Sequence, residues 1–186
     1  MNNRRKTLRY LLGAMTGSGI AATSIPFIKY MNIAADKEQP TFDIDISGLN
    51  DGELMIAQWF LIPRIVIIKR TPQELESINE PNPELLDPNS EDSMQPDAAK
   101  NQYRSIRPEI FVSTGACTHL GCSTTYQPDA ASAVMGLDWR GGFFCPCHGS
   151  KYDISGRVFK HMPAPRNMDI PNHEYIDENI IRIKYR

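Results

Sequence analysis

Two short segments hold the residues best suited to chemistry: Cys117-Thr118-His119-Leu120-Gly121-Cys122 and Cys145-Pro146-Cys147-His148-Gly149-Ser150. Each offers a thiolate and an imidazole two or three residues apart, close enough for one tight loop to present both to a metal site. Each also holds one extra cysteine. Gly121 and Gly149 can take the positive φ values that such turns often need. The chain has 4 cysteines in all, and they lie between Cys117 and Cys147. Crosslinks that staple a whole fold would be spread along the chain, so this clustering points to a local site.

Three readings fit these residue types. Two ordinary disulfides would leave both histidines unexplained. A tetrahedral zinc site of two cysteines and two histidines fits by ligand count. Its usual spacing pairs like with like, whereas here the pairs are mixed and two cysteines are left without a role. The third reading uses all six side chains: a two-iron, two-sulphide cluster with two cysteines on one iron and two histidines on the other, and a disulfide between the loops.

The run Cys-Thr-His-Leu-Gly-Cys, then Cys-Pro-Cys-His-Gly-Ser-Lys-Tyr-Asp with Ser155-Gly156-Arg157 following, resembles the Rieske family. In that family two histidines replace two cysteines on one iron. The resemblance extends more weakly from about Asp51 to Tyr175. It implies one 2Fe–2S cluster per chain, with Cys117 and Cys145 on one iron, His119 and His148 on the other, and a disulfide between Cys122 and Cys147. It also implies that Ser150 hydrogen-bonds a bridging sulphide and that Tyr152 bonds the Cys117 thiolate. Donors aimed at sulphur stabilise the reduced, more negative cluster and raise its potential. One departure is Met162-Pro163-Ala164-Pro165, where the family usually begins its proline loop with glycine. His161 and His173 stand away from ligand spacing and read as surface residues.

In the family's membrane-anchored subgroup the implied role is iron–sulphur subunit of a quinol–cytochrome c oxidoreductase. It accepts an electron from ubiquinol at a cytochrome b subunit, passes it to a c-type cytochrome, and contributes to proton translocation within a dimeric complex. His148 would face the quinol, with Leu120 packing against cytochrome b. The small subunit of a periplasmic arsenite oxidase is the alternative of the same family, disfavoured because Arg64 to Ile78 resembles the reductase subunit. A zinc-stabilised binding module is the alternative of another class.

The rest of the chain has to position and deliver that site. Tyr10 to Ile28 is a run of 19 residues without a charge, about 28 Å as a helix and enough to cross a bilayer. Arg4, Arg5, Lys6 and Arg9 precede it, which places the N-terminus in the cytoplasm and the rest outside a bacterial inner membrane. Arg4-Arg5-Lys6-Thr7-Leu8-Arg9 resembles a twin-arginine export signal. Residues 1–30 are thus read as signal and anchor, and 31–40, small and unpatterned, as a flexible hinge. Residues 41–186 form the cluster domain, whose cluster-binding part spans about 115–165.

Strand-like runs stand at Phe42–Ile46, Glu53–Gln58, Arg64–Lys69, Glu109–Ser113, Gly142–Phe144, Lys151–Ile154, Met168–Ile170 and Ile180–Lys184. Thr71-Pro72-Gln73-Glu74 forms a capping box and should start a short helix. Residues 81–97, with four prolines among acids, read as an exposed irregular insertion. The net charge of −2 conceals +5 over residues 1–30 and −7 over 71–100, so nothing forms a basic nucleic-acid footprint. The fold class is mostly β: a transmembrane helix, then an antiparallel β domain with an inserted cluster-binding part.

Overall fold

The structure, a computed structural model, describes residues 3–35, 40–128, 135 and 139–185. The chain divides into two units, Met1–Gln39 and Pro40–Arg186.

The first unit is one helix, α1 (Asn3–Ala35). Its segment Asn3–Lys29 is long and apolar enough to cross a membrane, with a mean hydropathy of 1.4. The hydroxyls of Thr16, Ser18, Thr23 and Ser24 donate to carbonyls three or four residues back. They are thereby satisfied without water, which explains how so many small hydroxyl residues fit an apolar span. Pro26 lies inside the helix and removes one of its hydrogen bonds. The hinge expected over 31–40 is helical as far as Ala35, and residues 36–39 lie outside the described residues.

The second unit stacks three small antiparallel sheets. Its strands are β1 (Thr41–Asp45), β2 (Leu54–Trp59), β3 (Ile62–Lys69), β4 (Ile110–Ser113), β5 (Thr125–Gln127), β6 (Gly142–Phe144), β7 (Lys151–Asp153), β8 (Asn172–Tyr175) and β9 (Ile180–Lys184). The sheets run β1-β9-β8, β2-β3-β4 and β5-β6-β7. The middle sheet explains the arrangement. Strand β3 reads Ile65-Val66-Ile67-Ile68, and all four are buried. Side chains alternate across a strand, so Ile65 and Ile67 join a core with Ile44, Ile181 and Ile183. Val66 and Ile68 join another with Cys117, Cys145, Phe143 and Tyr152. A continuous apolar run is what a strand buried on both faces requires.

Helix α2 (Pro72–Asn79) starts as the sequence dictates, with Thr71 and Glu74 capping each other's backbone N–H groups. Three expectations are corrected. Met168–Ile170 is no strand, because its backbone bonds go to three different segments: Met168 N–H to Gly156, Ile170 N–H to Met94, and Asp169 C=O from Thr114. The strand there is β8, and it buries His173, so that histidine is not a surface residue. Residues 81–97 are not merely an exposed insertion. Leu85 and Ser90 are buried, Leu86 N–H bonds Val158 C=O, and the buried Asn167 amide donates to Asp87 C=O and to Ser90 Oγ. That segment is a strap fastened across residues 157–168.

A candidate iron–sulphur centre at the tip of two twin loops

The two cysteine–histidine segments fold alike. In the first, Cys117 N–H bonds Cys122 C=O and Gly121 N–H bonds Cys117 C=O, both at 2.8 Å. In the second, Cys145 N–H bonds Ser150 C=O at 2.8 Å and Gly149 N–H bonds Cys145 C=O at 2.9 Å. The fifth residue of each is a glycine at φ 79°, the left-handed region that a side chain strains. The sequence carries the signal for this twofold likeness, Cys-x-x-x-Gly-x in both segments, although no internal repeat is evident at the level of the whole chain.

The loops bring the six reactive side chains to one tip. Cys122 and Cys147 form a disulfide. The Sγ atoms of Cys122, Cys145 and Cys147 lie within 4.8 Å of one another, but two are spent in that bond, so Cys145 supplies the available thiol. Cys117 and Cys145 are free and buried, and each thiol lies close enough to affect the other's ionisation. The rings of His119 and His148 stand edge to face with centroids 4.8 Å apart. His119 Nδ1 is buried with no hydrogen-bond partner among the described residues. A buried imidazole nitrogen left empty is costly, and a metal would satisfy it. Two buried thiols, two converging imidazoles and one orphaned ring nitrogen fit a two-iron, two-sulphide cluster.

The surroundings favour negative charge on the sulphur of Cys117 and oppose it on that of Cys145. Burial pushes the Cys117 thiol up, but hydrogen bonds from Tyr152, the His119 N–H, Cys145 and Ser150 hold it below its ordinary value. Tyr152 is fully buried, its hydroxyl donates to Cys117 Sγ at 3.2 Å, and it accepts Thr118 N–H at 3.1 Å. Burial and the neighbouring Cys117 thiol hold Cys145 above its ordinary value, opposed only in part by the N–H groups of Cys147 and His148. Ser150 is buried, and its oxygen accepts Ala164 N–H at 3.1 Å, which leaves its proton free to donate to sulphur. The proline loop thus fixes Ser150. Its left-handed residue is His161 at φ 61°, which is exposed, whereas Met162 packs into the core. Leu120 is 71% exposed, and His148 is exposed beside it.

Fold and site together define an iron–sulphur protein of mostly β architecture. A family described as the Rieske [2Fe-2S] domain matches residues 97–174. The "Ubiquinol-cytochrome c reductase iron-sulfur subunit" of Allochromatium vinosum is 41% identical over 97% of this chain and 87% of its own length. The protein of the same name from Blastochloris viridis is 38% identical over 97% of this chain and 92% of its own. The "Cytochrome b-c1 complex subunit Rieske, mitochondrial" of Neurospora crassa is 37% identical over 90% of this chain and 64% of its own length. The chain belongs to this family of Rieske iron–sulphur subunits, and among the described residues α1 is the one helix long and apolar enough to cross a membrane.

Proposed function

We propose that this chain is the iron–sulphur subunit of a ubiquinol–cytochrome c reductase in a bacterial inner membrane, taking an electron from ubiquinol at cytochrome b and passing it to a c-type cytochrome. The observation that carries the reading is the donor set itself: Cys117, Cys145, His119 and His148 converging at a tip where Leu120 and His148 are exposed. When bound, a 2Fe–2S cluster supplies one-electron chemistry.

The chain's own residues do the rest. Cys117 and Cys145 hold one iron and His119 and His148 the other. Tyr152 and Ser150 aim protons at sulphur and favour the reduced state. His148, at the surface, receives the quinol's hydroxyl, and Leu120 seats the tip against cytochrome b. The Cys122–Cys147 bond keeps the two loops together. Residues 1–30 anchor and address the chain, with the N-terminus cytoplasmic. Residues 41–186 are the electron-carrying domain in the periplasm, and 31–40 form the joint on which it moves between partners. The complex is dimeric, as a quinol-oxidising assembly with two mobile carriers.

Purification of the membrane complex through a tag on this chain tests the proposal. Cytochrome b and a c-type cytochrome should travel with it, and quinol should reduce the preparation. Co-purification with an arsenite-oxidising subunit and no cytochrome b would contradict it.

A further inference from the structure

Two guanidiniums lie in the interior of the β domain, and among the described residues no carboxylate bonds either one. Arg70 donates to the carbonyls of Pro108, Tyr103 and Ile154 and to Ser105 Oγ. Arg104 donates to the carbonyls of Ser155, Gly156 and Met168. Its remaining partner is Gln95 Oε1 at 3.0 Å. The nearby carboxylates act on the two arginines through space only: Asp153 pairs with Arg157 and Asp169 with Arg166, while Glu74 caps α2 and Asp87 accepts from the Glu91 N–H and the Ser93 hydroxyl. Burial lowers Arg70 to about 9 and Arg104 to about 10, which leaves both charged at neutral pH.

Both charges approach the core that holds the cysteine ligands. Arg70 Cζ lies 4.9 Å from the centre of the Phe111 ring. A side chain at Gly156 would meet both Phe111 and Arg104. Phe111 packs in one buried cluster with Phe143, Tyr152, Cys117 and Cys145. In such a medium a charge acts over a distance that water would screen. Neutral donors could satisfy the same carbonyls, so the turn after Tyr152 does not by itself require charge. Gln95 is the telling neighbour: a glutamate of the same length there would neutralise Arg104.

We propose that Arg70 and Arg104 are fixed internal positive charges that raise the affinity of the site for an electron, and that Gln95 keeps a carboxylate from bonding Arg104 directly. The proposal rests on the 2Fe–2S reading of the site. The guanidiniums touch neither substrate nor ligand, so they are positioning residues for charge rather than catalytic ones.

Gln95→Glu in the intact complex tests it, followed by a redox titration monitored by electron paramagnetic resonance and by thermal unfolding. The midpoint should fall, with the reduced-to-oxidised ratio at fixed potential down about fivefold, while stability is unchanged or higher. Gln102→Glu, at an exposed position, should leave the midpoint unmoved because water screens it. An unmoved midpoint in Gln95→Glu, or equal shifts in both variants, would overturn the proposal. If Gln95→Glu fails to fold, Arg104→Lys and Arg104→Gln replace it. The lysine should hold the midpoint near wild type and the glutamine should lower it, and equal midpoints would overturn the idea. A wild-type complex without a reducible iron–sulphur signal would contradict the site reading itself, a separate outcome.

Discussion

Tyr152 does two jobs with one oxygen. Its proton goes to Cys117 Sγ and its lone pair receives Thr118 N–H, so the hydroxyl locks the first loop while it stabilises negative charge on sulphur. Tyr152→Phe keeps the ring in the core and removes only that oxygen. The reduction potential should therefore fall and quinol oxidation should slow, with iron retained; a potentiometric titration beside an iron assay checks both. His173 offers a test of the fold at the same scale. Burial depresses its pKa, with Pro171 C=O opposing. The unfolded chain then binds a proton near pH 6.5 that the folded chain resists, so stability is full above that value and falls as pH drops through it. Thermal midpoints measured from neutral pH into mild acid should fall in wild type and fall less in His173→Gln.

At the scale of elements, the twin loops are the device that makes the site. Neither loop alone brings two thiols and two imidazoles together; the Cys122–Cys147 bond and the shared core beneath them do. Cys122→Ser or Cys147→Ser leaves every proposed ligand in place but frees one loop from the other. The cluster should become labile and its potential lower, as followed by loss of visible absorbance over time and by redox titration. Much of this was legible in the sequence. Mixed Cys/His spacing marks the ligand loops, the capping box marks α2, and the β-branched run of β3 marks a strand. What escaped had no local signature. His173 is buried by the register of β8 against β9, a long-range pairing. The strap over 82–90 has the composition of a surface loop, and only the distant Asn167 reveals that it is fastened. The short strand β5 takes its structure from β6 rather than from its own three residues.

For the molecule as a whole, the difficulty is compartment. If the cluster domain lies in the periplasm as proposed, a cluster assembled in the cytoplasm and a disulfide that needs an oxidising environment require a folded and loaded domain to cross the membrane. Arg4-Arg5 ahead of a weakly apolar helix is the feature that would direct this. Replacing both with lysine preserves the positive flank and so preserves insertion by charge. The domain should then stay on the cytoplasmic side with its thiols reduced, as protease accessibility in spheroplasts and thiol labelling would report. The anchor was legible from uncharged length alone, whereas its helical extension through Ala35 was not, because Asn32-Ile33-Ala34-Ala35 carries neither a clear periodicity nor a stop signal.

The central claim is that Cys117, Cys145, His119 and His148 hold a two-iron, two-sulphide cluster. The most direct measurement is the iron, acid-labile sulphide and zinc content of the full chain purified from membranes, per mole of protein. The account predicts a red-brown protein with two irons and two sulphides per chain and no stoichiometric zinc. A colourless protein carrying one zinc, with neither iron nor sulphide, would contradict it.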